Sequence, residues 1–231
     1  SGATAASNAN QIVVESGTST NCGMSFLTPT TGANVRINFG TSSDADNGQI
    51  GYFPGTNSTD NSMQFKSGGS TTMKLHSTGE VTKTRQPTFL VIPTADLTNM
   101  GTGNTTVAWD GEIFDVGSNF SSNTFTAPVT GKYQFNVSFY LANLDIDTTL
   151  FDVNMVASNR IQRLMARNIS KDFTADSTNL SSINASTLLD MDANDTVYVR
   201  VSITGGGGVI DLLGTAPASE FYTSWSGVLI C

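Results

Sequence analysis

Charge is scarce in this sequence. Asp, Glu, Lys and Arg make up only 13% of its 231 residues, about half the usual share. What charge there is leans acidic, at −8 net. A chain without Lys/Arg clusters has no electrostatic means of holding nucleic acid or an anionic membrane, so neither is an expected partner. Cysteine is scarce too: Cys22 and Cys231 are all there is. Two cysteines cannot make a disulfide framework, and two unpaired thiols suit assembly in a reducing cytoplasm. The single histidine, His76, falls in an alternating run, where a lone His is more often structural than catalytic. No apolar run of about 18 residues exists, so membrane insertion is not expected. The first residues, Ser1-Gly-Ala-Thr-Ala, lack the basic-then-apolar pattern of a secretory signal. No Gly-x-Ser-x-Gly elbow, phosphate loop or His/Cys metal spacing occurs. The chain is not expected to be an enzyme.

What is present is alternation. Tyr133, Phe135, Val137 and Phe139 alternate with Gln134, Asn136 and Ser138, the period of a half-buried strand. Just upstream, Phe125 anchors another strand, Pro128 stops it because it has no N–H for a ladder, and Gly131 suits the turn. Val197, Val199, Val201 and Ile203 form one face of a further strand, and Val153 and Met155 pattern similarly. Ile161–Arg167 is the best helix candidate, but strands on either side favour a strand there too. The fold class is all-β.

Residues 1–86 differ from the rest. Ser, Thr, Gly and Asn fill 45 of the 86 positions, a composition that normally gives disorder. The few apolar residues are nevertheless ordered in pattern: Met24/Phe26, Val35/Ile37/Phe39, Ile50/Tyr52, Met63/Phe65 and Met73/Leu75 are spaced by two between turn residues such as Gly68-Gly69 and Thr78-Gly79. One such stripe buries too little to offset the ordering of its backbone, at roughly 1–2 kcal/mol per residue. Three chains about one axis can pool their stripes. The expectation is a β-rich, intertwined trimeric shaft over 1–86, a short linker at 83–87, and a head over 87–231.

The head carries a resemblance. Asn123–Phe135 closely resembles the central signature of the complement-one-q globular head, a branch of the tumour-necrosis-factor-like jelly rolls. Pro87–Val91 is similar to that family's opening strand, and Val107–Asp110, Phe114-Asp115 and Asn119-Phe120 to the run leading into the signature. Leu188–Val199 is similar to its late strand pair, and Trp225–Ile230 to its closing strand. The resemblance implies an antiparallel jelly-roll β-sandwich that forms homotrimers and recognises ligands. The collagen-like Gly-X-Y stalk of complement proteins is absent. In its place, Gly48–Tyr52, Ser62–Phe65 and Thr72–Val81 resemble runs found before the knobs of phage tail fibres. Together these imply a virion tail fibre or tail appendage, assembled in the host cytoplasm, whose partners are other virion tail proteins and a host surface receptor, glycan or protein. A secreted complement-type trimeric recognition protein is the alternative. A fibre that hydrolyses glycans through a carboxylate pair comes third.

Candidate site residues follow from turns and loops. Three loops stand out for receptor contact: Asn143–Thr149, Asn168–Asn179 and Gly205–Thr215, with Lys171, Asp172 and Phe173 in the second and Gly206 and Gly207 in the third. Recognition usually resides in loops on a rigid scaffold, though glycines can simply close a hairpin. No cofactor is expected. The one metal worth testing is calcium, because Asp190, Asp192 and Asp195 share a turn, as do Asp145 and Asp147. The bland reading is that these carboxylates cap their own backbones.

Overall fold

The computed structural model describes residues 23–28, 33–55, 61–172, 180–214 and 220–231. The chain divides into two compact units, Ser1–Thr84 and Arg85–Cys231. Both are all-β and antiparallel.

The first unit is one five-stranded meander: β1 Val35–Phe39, β2 Gly48–Phe53, β3 Ser62–Ser67, β4 Ser70–His76 and β5 Val81–Thr82, each pairing with the next. Gly68 and Gly69, at φ 59° and 70°, form the two-residue turn between β3 and β4. A tight hairpin of this type needs positive φ at both central residues. The spacing of two puts the apolar residues on one face in register. Val35 pairs with Tyr52, Tyr52 with Met63, Met63 with Leu75 and Leu75 with Val81. A second row runs through Ile37, Ile50, Phe65 and Met73. Met24 and Phe26, expected in a strand, lie in a segment without strand structure and are about half exposed.

The second unit is a sandwich. Its strands are β6 Thr88–Ile92, β7 Leu97–Met100, β8 Gly103–Thr106, β9 Gly111–Val116, β10 Phe120–Ser121, β11 Thr124–Thr126, β12 Gly131–Ala142, β13 Thr148–Ala157, β14 Ile161–Arg167, β15 Ser181–Met191, β16 Thr196–Gly205, β17 Ile210–Leu212 and β18 Ser224–Leu229. A single helical turn, α1 Ile169–Asp172, lies between β14 and β15. One sheet runs β9-β6-β18-β12-β15, with β17 and β7 added beside the far end of β12. The other runs β11-β16-β13-β14, with β10 and β8 at its margin. The chain passes repeatedly from one sheet to the other, so strands adjacent in sequence are mostly not adjacent in space. This wiring is a jelly roll.

The inward faces are the ones that alternation picks out. Tyr133, Phe135 and Phe139 are fully buried, as are Val197, Val199 and Val201 from the facing sheet. Phe89 is the hub of the aromatic cluster. Its ring meets Phe120 at 5.3 Å, Phe125 at 5.0 Å and, edge-on, Trp225 at 5.0 Å. Such offset and edge-to-face pairs add roughly 0.5–1.5 kcal/mol each beyond the area they bury. Gly227 makes the packing possible. A Cβ there would lie 2.5 Å from Phe89 and 2.7 Å from Phe135. Ile161–Arg167 is a strand, as expected, with a bulge opposite Val153/Asn154.

Candidate functional site

Strand directions decide what gathers at each end of the sandwich. β6 enters at Thr88 beside Val228 of β18, and β12 starts at Gly131 opposite Met191. The turns at 127–131, 157–161 and 191–196 therefore sit at the end where the chain enters this unit. The opposite, far end collects the segments after β6, β12, β14 and β16. All three loops singled out in the sequence lie there, at 142–148, 167–181 and 205–210 in their described parts.

The far end is held by carboxylates. Asp145 is 5% exposed. Its Oδ1 accepts from the Asp147 N–H at 2.9 Å, and its Oδ2 accepts from the Gly207 N–H. The first loop thus grips the glycine loop. Gly206 sits at φ 84°, where a Cβ would lie 2.5 Å from the Thr148 hydroxyl and 2.7 Å from Asp145 Oδ2. Only glycine fits that close approach at that φ. The glycines do not close a hairpin, because β16 and β17 belong to different sheets. They carry the chain across the end of the sandwich. Asp211 accepts from Asn143 Nδ2 at 2.6 Å and from the Asn99 N–H at 2.7 Å, and Asp96 accepts from the Gly214 N–H at 2.8 Å. Asp96 and Asp211 carried no sequence signal: their partners are more than 60 residues away.

Lys171 and Asp172 are exposed on α1, whose Ile169 is buried in the core. Asp172 accepts from Arg167 Nε at 2.7 Å. Phe173 lies outside the described residues. Lys171 and Asp172 are therefore presented outward on an anchored turn, whereas Gly206 and Gly207 have a packing role of their own.

Asp190, Asp192 and Asp195 lie at the other end. Asp190 forms an ion pair with Arg160. Asp195 Oδ1 accepts from the Ser158 hydroxyl at 2.6 Å, and its Oδ2 accepts from the Asp192 N–H at 2.9 Å and from Asn159 at 3.2 Å. The Ser158 bond, with the backbone N–H of Asp192, holds the Asp195 carboxyl below the ordinary carboxylate value. Asp190 is likewise lowered, by its own backbone N–H first and by Arg160 beside it. Asp192 accepts from the Thr130 hydroxyl at 3.4 Å. Each of the three carboxylates thus accepts from a neighbouring donor at its own end of the sandwich. Among the described residues no group of three or more His, Cys, Asp or Glu side chains is set up to hold a metal ion.

Two surfaces carry further information. Between the Lys132–Asp190 row and Tyr140, the outward face of β15, β12 and β18 carries no charged group. Leu188, Gln134 and Val228 form one cross-strand row, and Ser186, Asn136 and Ser226 the next. A hollow of about 270 Å³ opens on it, lined by Asn136, Ser138, Asn184, Ser186 and Ser224. On the other sheet, Asp152 is 3% exposed and pairs with Arg163 at 2.9 Å.

No protein-family model matches the chain, and no curated protein sequence does. Among solved structures, the globular domain of zebrafish complement 1qA protein is similar at 18% identity over 63% of this chain and 98% of that one, with a TM-score of 0.43. A crystal structure of murine APRIL at pH 8.0 is similar at 13% identity over 63% of this chain and 99% of that one, also with a TM-score of 0.43.

Proposed function

We propose that this chain is a homotrimeric virion tail fibre or tail appendage that binds the host cell surface. The observation that carries the reading is the division of labour in the second unit. Its three candidate loops share the far end in their described parts, and the first and third are tied down there by buried or bridging carboxylates. Its strand termini and the start of the unit share the other. Loops fixed on a rigid scaffold bind without first paying to become ordered. The homotrimer is supported by the outward face of β15, β12 and β18. Charged groups are depleted at the centres of protein interfaces, and the rows that cross this face at Gln134 and Asn136 carry none. Three heads on one particle give avidity, so a weak site still holds. The virion assignment rests on the fibre-like runs in residues 48–81, and the first unit then serves as shaft and connector to other tail proteins.

The mechanism is binding without turnover. The ligand is a host surface glycan or protein, met by Lys171, Asp172, Phe173 and the glycine loop. The test is adsorption. The full chain should compete with virions for host cells, and light scattering should give three times the 24.3 kDa chain mass. Replacing Lys171, Asp172 and Phe173 together should weaken adsorption and leave the trimer intact, since exposed substitutions usually shift stability by under about 0.5 kcal/mol. A chain that is monomeric at micromolar concentration overturns the trimer. Release of sugar from host envelope by the pure protein overturns binding without turnover. Absence of the chain from purified virions favours the secreted recognition protein instead.

A further inference from the structure

We propose that the outward face of β14, β13 and β16 binds a neutral saccharide, at a surface built from one chain and apart from the far-end loops. Val153 and Val201 of these strands point into the core and are fully buried. Alternation turns the residues between such positions outward. The register sets them in cross-strand rows: Ile161–Val156–Tyr198, then Arg163–Asn154–Arg200, then Asp152 beside Ser202.

Two atoms on this face lack a partner. Asp152 is 3% exposed, although its strand position is an outer one. Its Oδ2 accepts from Arg163 at 2.9 Å, and the Arg163 side chain remains 62% exposed. Asp152 Oδ1 and, on the neighbouring strand, Arg200 Nε are buried and have no hydrogen-bond partner among the described residues. The Ser202 hydroxyl does not serve Asp152, because it donates to Asn104 Oδ1 at 2.6 Å. Buried polar atoms, charged ones above all, are almost always paired, since an unpaired one has given up its hydration for nothing. Here the two needs are complementary. The carboxylate oxygen lacks a donor, and the guanidinium lacks an acceptor. Asp152 and Arg200 are diagonal neighbours across the strand pair, at the roughly 7–8 Å spacing that long side chains and a group between them span.

The group that both donates and accepts is a hydroxyl. A sugar hydroxyl donates to Asp152 Oδ1 and accepts from Arg200 Nε, in the place of a bridging water. Arg163, mostly exposed, is the partner of Asp152 that an incoming ligand displaces. An anion does not meet the need: it accepts from Arg200 but brings the carboxylate no donor and repels it. The adjoining row fits the rest of a sugar. Tyr198 and Val156 are half-buried and Ile161 is 58% exposed, so an apolar strip with an aromatic ring borders the polar one. A pyranose has the same two sides, a C–H face for the ring and a rim of hydroxyls for the polar row.

The test reads the Arg200 Nε–H by magnetic resonance. The full chain, carrying isotope-labelled arginine, is titrated to millimolar concentration with the methyl glycosides of glucose, galactose, mannose, N-acetylglucosamine and rhamnose, and separately with inorganic phosphate. Arg200→Lys identifies the signal by its loss. The expected result is a saturable shift of that signal with at least one glycoside and none with phosphate. Asp152→Asn should weaken the same glycoside by roughly tenfold or more, the worth of a hydrogen bond to a charged group. Lys171→Ala, at the far end, should leave it unchanged. Tyr198→Leu, which removes the ring from the apolar strip, should also weaken it and replaces Asp152→Asn if that variant does not fold. No shift with any glycoside means that water alone bridges the two atoms and overturns the inference, as does a shift with phosphate alone. A shift that Lys171→Ala abolishes and Asp152→Asn keeps places the sugar on the far-end loops, which removes this face and leaves the binding reading above in place.

Discussion

The Tyr133 hydroxyl donates to the Val129 carbonyl at 2.7 Å, closing the turn that leads from Pro128 into β12 with a part-buried bond at the margin of the core. Tyr133 is fully buried, and burial pushes its hydroxyl above the ordinary value of 10.0. Tyr133→Phe should lower stability by about 1 kcal/mol, the net worth of such a bond, with the Val129 carbonyl left unpaired. Denaturant midpoints measure it. The raised value also sets an alkaline limb. The folded state keeps the proton when the unfolded chain releases it, so this contribution is complete below pH 10 and is lost as pH rises through the folded value. Tyr133→Phe should fall less steeply than the parent above pH 10, and parallel curves would count against the buried hydroxyl.

Gly227 and Phe135 are expected to behave as one unit. Phe135→Ala should cost about 3–5 kcal/mol by emptying the aromatic cluster. Gly227→Ala should cost about 1–3 kcal/mol by forcing a methyl into the Phe89 and Phe135 rings. Because the methyl of the second variant enters space the first vacates, the double variant should be less damaged than the two losses added together. A double-mutant cycle with strictly additive losses would show that the two do not touch.

Gly206→Ala is predicted to loosen the far end. The new Cβ collides with Thr148 and Asp145 at a positive φ, at a cost of about 1–3 kcal/mol. Limited proteolysis should cut within 205–208 in the variant and spare the parent. Asp145→Ala should open the same site by removing the acceptor of the Gly207 N–H. Resistance in both variants would mean that something other than Asp145 holds the loop.

At the opposite end, the turn at 192–195 should weaken in acid. Asp195 has a lowered value, caused first by the Ser158 hydroxyl. Its contribution is therefore present above the ordinary value of 3.8 and is lost as pH falls through the lower folded value. Amide exchange at Asp192, whose N–H donates to Asp195, should accelerate over that acid range. Ser158→Ala should bring the acceleration to higher pH, and an unshifted profile would remove Ser158 as the cause.

Strand identity and facing were legible in the sequence because period two is a local property. Tyr133, Phe135, Val137 and Phe139 face inward as their alternation requires, and so do Val197, Val199 and Val201. The apolar pairs at Val35–Phe39, Ile50–Tyr52, Met63–Phe65 and Met73–Leu75 also fall in strands with one apolar face. What alternation does not encode is who sits opposite. The pairing of Asp152 with Arg163 depends on a bulge that skips Leu164. The acidic turn was legible as a cluster of carboxylates, but not their partners: Ser158, Asn159 and Arg160, some thirty or more positions earlier, donate to Asp190 and Asp195. The same limit hid the role of Gly206, whose reason is a carboxylate sixty-one residues upstream. Close approaches across a sandwich are fixed by topology, and topology is what a period-two pattern does not encode.

Gln86 donates through its side-chain amide to the Leu229 carbonyl, and the Leu229 N–H donates to the Pro87 carbonyl at 3.0 Å. The first and last strands of the second unit are thus stitched together at one end. A fold whose incoming and outgoing strands lie side by side behaves as a cassette. It can be joined to a different carrier through a single short splice, and its far loops can grow, shrink or be exchanged without disturbing that splice.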